Sequence, residues 1–109
     1  MNFACDPTMS NGTDFEFEWD DAKAESNLAK HGVNFTDAMS VLLDPLAITR
    51  FDEEHSEDEE RWVSVGRAAN GQLLLAVHTF SATGPNTALL RLISARPATR
   101  REREQYEAG

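Results

Sequence analysis

The clearest pattern in the chain is strict alternation of apolar and polar residues near its N-terminus. The segment Phe15-Glu16-Phe17-Glu18-Trp19 alternates at every position, which predicts a short strand with its three aromatic side chains on the core side. A second alternating stretch, from Leu89 to Ala95, is rich in aliphatic residues and predicts another strand. The two stretches lie at opposite ends of the chain.

Helical signals follow the first strand. The segment from Asp20 to His31 has acidic residues at its start and Lys30-His31 at its end, as the helix dipole favours, and Gly32 provides a left-handed stop. Lys30 and His31 are also candidate phosphate ligands, although a basic pair at this position more often only complements the dipole.

A second predicted helix begins at Asn34, a favourable N-cap with Asp37 three residues later, and it ends at Asp44-Pro45. Its apolar stripe indicates a core-facing side rather than a cofactor site. The stripe consists of Phe35, Ala38, Met39 and Leu42. The next segment, from Leu46 to Phe51, is a plausible strand.

Asn70-Gly71 between two apolar runs predicts a hairpin with a two-residue turn. That turn would pair Arg67 with Leu74 and Arg61 with Phe80. One face of the hairpin would then be mixed and suited to binding, with Arg61, Val63, Val65, Arg67, Leu74, Ala76, His78 and Phe80. The other face would be apolar and pack on the helices, with Trp62, Leu73, Leu75 and Val77.

The C-terminal segment is basic in an otherwise acidic protein. Pro97 suits a first helical turn, so a helix is predicted from there, with Arg91, Arg96 and Arg100 gathered at the corner between strand and helix. Guanidinium groups and amides at a helix start both suit phosphate oxygens. A solvated helix with pairs such as Arg100–Glu104 is the alternative, and we favour it for residues 100–107.

The order of elements is therefore a strand, two helices, three or four antiparallel strands and a C-terminal helix. This order predicts an α+β fold with the helices on one face of the sheet. We expect residues 1–14 to form a disordered leader and residues 15–109 to form a single domain.

Charge and composition narrow the classes of protein. A net charge of −9 argues against a general nucleic-acid coat, but the five arginines after residue 90 leave a local phosphate site possible. The run from Asp52 to Glu60 carries seven carboxylates and indicates a solvated loop. A single cysteine, Cys5, and the absence of a membrane-length apolar run or signal peptide favour a cytoplasmic protein without a membrane partner.

Many residues, weak signals individually, together resemble the BrnT family of bacterial toxins in order and spacing over about residues 15–107. They are Phe17-Glu18-Trp19-Asp20, Lys23, Asn27, Lys30-His31-Gly32-Val33, Phe35, Ala38, Asp44-Pro45, His55, Glu60-Arg61, Gly66, Arg91-Leu92-Ile93-Ser94-Ala95-Arg96, Ala98-Thr99, Glu102-Arg103 and Tyr106.

This resemblance implies a RelE-like fold and a ribonuclease toxin of a type II toxin–antitoxin pair. It also implies a BrnA-like antitoxin that neutralises the toxin, and a complex that represses its own operon, touching operator DNA only through the antitoxin. The family usually has a basic residue after Ser-Ala-Arg, where this sequence has Pro97. A catalytically weak module that only binds an antitoxin is therefore the alternative.

Cleavage of RNA without a metal or cofactor requires a base, an acid and cations that stabilise the pentavalent phosphate. Three arginines are candidates for the phosphate: Arg61, Arg91 and Arg96. His55 and His78 are candidates for the base or the acid, and Glu60 is a reserve base. Lys30, His31, Arg67 and Arg100 are candidates for further RNA contacts. A metal-dependent hydrolase built on the acidic run is a third possibility, but the spacing there matches no EF-hand pattern.

Overall fold

The computed structural model describes residues 14–53 and 60–109, so most of the predicted leader and His55 lie outside the described residues. The described part is a mixed α+β domain. Its elements in chain order are β1 (Asp14–Glu18), α1 (Asp21–His31), α2 (Phe35–Val41), β2 (Ile48–Phe51), β3 (Arg61–Arg67), β4 (Leu73–Thr79), β5 (Ser81–Gly84), β6 (Thr87–Pro97) and α3 (Arg100–Ala108).

The strands of the described residues form one six-stranded sheet in the order β1-β6-β4-β3-β2, with β5 also paired to β6. Neighbouring strands are antiparallel except for β1 and β6, which are parallel and pair Glu18 with Arg91. The prediction of antiparallel pairing is therefore correct for the later strands, but five strands, β2 to β6, follow the helices rather than the predicted three or four. The first strand adds a parallel edge.

Helix α1 begins and ends as predicted, and α2 begins as predicted, but α2 ends at Val41, before the predicted end at Asp44-Pro45. The Asp20 side chain accepts a hydrogen bond from the Ala22 amide, and Gly32 ends α1 with a left-handed φ of 70°. The Asn34 side chain accepts from the Asp37 amide at the start of α2. These contacts satisfy backbone amides that helix geometry leaves without partners, which is why short polar residues at these positions predicted the helix starts correctly.

Asn27 ties α1 to the sheet. Its side chain is only 5% exposed. The amide group donates to the Val33 carbonyl at 2.9 Å, and its oxygen accepts from the Ala95 amide at 2.9 Å. One buried side chain thus links α1 both to the segment that follows it and to β6.

The register of the β3–β4 hairpin differs from the prediction by one residue. Ala68 and Gln72 flank a loop of three residues in which Gly71 has a φ of 87°, so Arg67 pairs with Leu73 rather than Leu74. Asn70-Gly71 predicts a two-residue turn, whereas in the structure the left-handed Gly71 completes a three-residue loop. A shift of one residue exchanges the two faces of β4, so the predicted assignment of those faces was wrong.

Helices cover both sides of the sheet, so the prediction of helices on one face was wrong. The main core lies between the sheet and α1 and α2. It contains Val33, Phe35, Ala38, Val41, Ala68, Leu74, Ala76, Leu92 and Ala95. A smaller cluster on the other face contains Val65, Leu73 and Leu75, and Tyr106 of α3 packs against it.

The last helix starts later than predicted. Pro97 is the final residue of β6 and pairs with Leu74, where a strand tolerates a residue without an amide hydrogen. Thr99 is the N-cap of α3 and forms a capping box with Glu102. The prediction of a helix from Pro97 was wrong because the Thr-x-x-Glu signal two residues further on determines the start.

Candidate functional site

Side-chain alternation, together with a register shift in the pairing of β4 with β6 between Val77 and His78, places several arginines on the sheet face that α3 covers only in part. They are Arg50 of β2, Arg61 and Arg67 of β3, and Arg91 and Arg96 of β6. Helix α3 covers one end of this face, where its Tyr106 packs against the cluster that contains Leu73. We call the remainder the open sheet face; it is formed by Arg61, Val63, Val77, Thr79 and Arg91.

Arg61 and Arg91 lie on either side of Thr79. Arg61 is the β3 partner of Thr79, and the Arg91 amide donates to the Thr79 hydroxyl at 3.2 Å. Two strand spacings separate the arginine backbones, or about 10 Å, which two extended guanidinium side chains can bridge. The structure thus places on neighbouring positions two of the three arginines that the sequence put forward as phosphate ligands.

A cleft of about 500 Å³ lies beside Arg91 and contains two carboxylates. Glu60, which immediately precedes β3, and Glu18, the β1 partner of Arg91, both line it. Glu60 was a predicted site residue, and Glu18 was not. Glu18 was not predicted because its position next to Arg91 depends on the parallel pairing of β1 with β6, and no local sequence motif indicates that pairing. A carboxylate next to a bound phosphate can accept a proton.

Arg96 is held by α3. Its guanidinium group makes two hydrogen bonds with the Glu102 carboxylate, at 2.9 and 2.8 Å. These bonds are the main cause that lowers the pKa of Glu102 to about 2, and they raise the pKa of Arg96. Five residues of strand separate Arg96 from Arg91, or about 16 Å, so the predicted gathering of arginines at this corner was wrong.

Arg67 lies at the far end of the same face. Its guanidinium group is 5.8 Å from the centre of the Tyr106 ring and donates to the Gly71 carbonyl at 3.0 Å. Asp44 accepts from the Arg67 amide and from the Tyr106 hydroxyl. Burial raises the pKa of Asp44, but these hydrogen bonds outweigh it and hold that pKa below its usual value. Arg67 therefore helps to fasten α3.

Three other predicted RNA contacts lie away from the open sheet face. Arg100 forms an exposed ion pair with Glu104 at 3.4 Å, as the alternative for this helix predicted. Lys30 and His31 are exposed in the last turn of α1, which packs on the opposite side of the sheet. These residues do not join Arg61 and Arg91.

His78 is buried on the side of the sheet that faces α1 and α2. It is 3% exposed, and its ring nitrogens contact the Ser64 hydroxyl at 2.9 Å and the Thr79 carbonyl at 3.1 Å. Burial is the main cause that lowers its pKa.

Across residues 14–53 and 60–109, no three His, Cys, Asp or Glu residues form a metal-ligand group, and no helix is long and apolar enough to cross a membrane.

A second cleft, of about 610 Å³, adjoins the open sheet face. We call it the side groove; Arg50, Glu53, Val63, Val77 and Arg96 line it together with Phe51, Asp52, Leu75 and Glu102. Arg50 was not among the predicted site residues. The segment from Leu46 to Phe51 was predicted as a strand, but its pairing with β3 decides which of its side chains reach this face.

The described residues form an α+β domain with guanidinium groups and carboxylates around one open sheet face, and guanidinium groups suit phosphate oxygens. A family model described as "Ribonuclease toxin, BrnT, of type II toxin-antitoxin system" matches residues 19–102. The chain therefore belongs to the BrnT family of type II toxins, as the sequence resemblance predicted. Membership of this family implies an antitoxin partner.

Among solved structures, the chain is similar to the crystal structure of the Brucella abortus ribonuclease toxin BrnT. The TM-score is 0.54 at 24% sequence identity, and the match covers 78% of this chain and 100% of that chain. A likeness at this identity confirms the shared α+β fold. A search of curated proteins gave no match.

Proposed function

We propose that this protein is an endoribonuclease that cleaves RNA at the open sheet face without a metal ion. The observation that carries the proposal is the placement of Arg61 and Arg91 on either side of Thr79, next to a cleft with Glu18 and Glu60. Membership of a ribonuclease toxin family supports the same activity.

In the proposed reaction, the 2′-hydroxyl of RNA attacks the neighbouring phosphorus, and the 5′-oxygen of the next nucleotide leaves. The guanidinium groups of Arg61 and Arg91 bind the non-bridging oxygens and stabilise the charge of the pentavalent phosphate. Glu60 accepts the proton of the 2′-hydroxyl, with Glu18 as the second carboxylate in the cleft. His55, outside the described residues, stays the candidate for protonating the leaving oxygen.

Two of the sequence candidates receive other roles in this proposal. Arg96 positions α3, because its guanidinium group is already engaged by both oxygens of Glu102. His78 stabilises the interior, because it is buried and both ring nitrogens lie within hydrogen-bond distance of protein atoms.

In the cell, we propose that the protein is cytoplasmic, inhibits translation by cutting RNA, and is neutralised by a BrnA-like antitoxin. Placement in the RelE-like group belongs to the same proposal. A net charge of −9 disfavours direct binding to operator DNA, so the antitoxin would supply the DNA contacts of a complex that represses the operon. Co-expression with the neighbouring gene, followed by size-exclusion chromatography, tests whether the product of that gene binds this protein. The two proteins should elute together at micromolar concentration.

Incubation of the purified protein with total RNA in EDTA tests the activity. We expect cleavage in EDTA at the rate seen with Mg²⁺, and growth arrest when the protein is expressed alone. Cleavage that requires added Mg²⁺ or Mn²⁺ would contradict metal independence. If the folded protein cleaves no RNA, the alternative is favoured, a module that only binds its antitoxin. The sequence observation that supports this alternative is Pro97 after Ser-Ala-Arg.

A further inference from the structure

The side groove has a composition that phosphate binding alone does not explain. Val63 and Val77 form an apolar floor and are only half-buried, because α3 covers the sheet further along, around Leu73. Charged side chains surround this floor. They are Arg50, Asp52, Glu53, Arg96 and Glu102. An apolar floor with a polar rim suits a flat ring that has hydrogen-bonding groups along its edge.

The groove also lies next to the proposed phosphate position. Val77 and Thr79 point to the same side of β4 and are two residues apart, or about 7 Å. A nucleotide whose phosphate lies between Arg61 and Arg91 can therefore reach the floor with its base. Because the side groove is continuous with the open sheet face, the ligand that it suits best is the base of a bound RNA.

Two features of the rim suit a nucleotide base, and the second of them favours guanine. The bidentate contact with Glu102 fixes the plane of the Arg96 guanidinium group, and such a plane can stack on a base. Glu53 is exposed on the rim and contributes a carboxylate, which can only accept hydrogen bonds when ionised. Guanine presents two adjacent donors, N1–H and the 2-amino group, which match the two oxygens of a carboxylate.

We infer that the side groove binds a guanine base adjacent to the scissile phosphate, with Glu53 accepting from the guanine edge and Val63 and Val77 beneath the ring. This inference rests on the proposed ribonuclease function, since it makes the groove a determinant of which RNA sites are cut. It is nevertheless a statement about binding that can be tested without cleavage.

The test is a titration of methyl-labelled protein with guanosine, inosine and uridine 5′-monophosphates, followed by NMR. GMP should shift the methyl signals of Val63 and Val77. IMP, which lacks the 2-amino group, should bind about ten-fold more weakly, because one hydrogen bond to a charged acceptor is lost. In Glu53→Gln the preference for GMP over IMP should disappear, whereas the matched control Glu107→Gln, on exposed α3 surface, should keep it.

Cleavage of oligoribonucleotides that differ only in the base next to the cut gives the second readout, with faster cleavage beside guanine. Equal methyl shifts with all nucleotides, or none at Val63 and Val77, would overturn the inference even if RNA is cleaved. GMP binding without cleavage of any RNA would refute the proposed function and leave the inference standing. Loss of antitoxin binding in Glu53→Gln, with nucleotide preference unchanged, would assign the groove to the partner protein and overturn it.

Discussion

Replacing Glu102 by glutamine should loosen α3 from the sheet. The Glu102 side chain is 13% exposed and accepts two hydrogen bonds from Arg96 and one from the Thr99 amide. Glutamine keeps the shape but removes the charge, and its amide nitrogen cannot accept from the guanidinium group. The substitution therefore tests the main ionic contact that we identify between β6 and α3.

The size of the effect follows from the ionisation of Glu102. Its pKa is lowered from 4.5 to about 2, a difference worth about 3 kcal/mol when each pH unit contributes ~1.36 kcal/mol. The Arg96 side chain is 38% exposed, so screening by water reduces the expected loss to about 1–2 kcal/mol. In a domain of this size, that loss lowers the melting temperature by about 5–10 °C.

The effect should depend on pH with a defined sign. Since the pKa of Glu102 is lower in the folded state, its contribution is complete above pH 4.5 and is lost as pH falls towards 2. Urea unfolding at pH 7 and pH 3 should show the difference between wild type and Glu102→Gln shrinking by about half or more. A difference that is constant with pH, or as small as that of the exposed control Glu107→Gln, would refute this reasoning.

Two further predictions concern the interior. Asn27→Ala should lower the free energy of unfolding by about 2–4 kcal/mol, because it leaves the Val33 carbonyl and the Ala95 amide without their buried partner; urea unfolding measures this, and a loss below 1 kcal/mol would contradict the role of Asn27. His78 should protonate at a lower pH than an ordinary histidine, because burial lowers its pKa; its contribution to stability is then present above pH 6.5 and lost on acidification. A titration of the ring by ¹⁵N chemical shifts tests this, and protonation at the same pH as the exposed His31 would contradict it.

Local rules of chain geometry explain which parts of the fold were predictable. Asp20 and Gly32 determine where α1 begins and ends, and Asn34 determines where α2 begins, through contacts within a few residues, so the sequence is sufficient there. The register of the β3–β4 hairpin failed because Gly71 can serve a loop of two or three residues, and packing of Leu74 against the helices decides between them.

The candidate site combines local and long-range information. Arg61 and Arg91 were predicted as site residues on two strands that were expected to lie close together. Their positions on either side of Thr79 follow from the pairing of those strands with β4. Glu18 was missed because its proximity to Arg91 depends on a parallel pairing across more than seventy residues of chain. The pairing of Arg96 with Glu102 was missed because the start of α3 was placed too early.

The central claim is that the open sheet face cleaves RNA, and single-turnover cleavage by arginine variants tests it most directly. Arg61→Ala and Arg91→Ala should each reduce the rate about 10²–10³-fold, by analogy with the loss of one donor to a transition-state oxygen. Lysine at either position should recover little, because a point charge cannot reproduce the two-pronged contact. Arg101→Ala, the same change of charge on exposed α3 surface, should cleave at the wild-type rate. Full activity in both alanine variants, with unchanged melting temperatures, would contradict the claim and remove these arginines from the site.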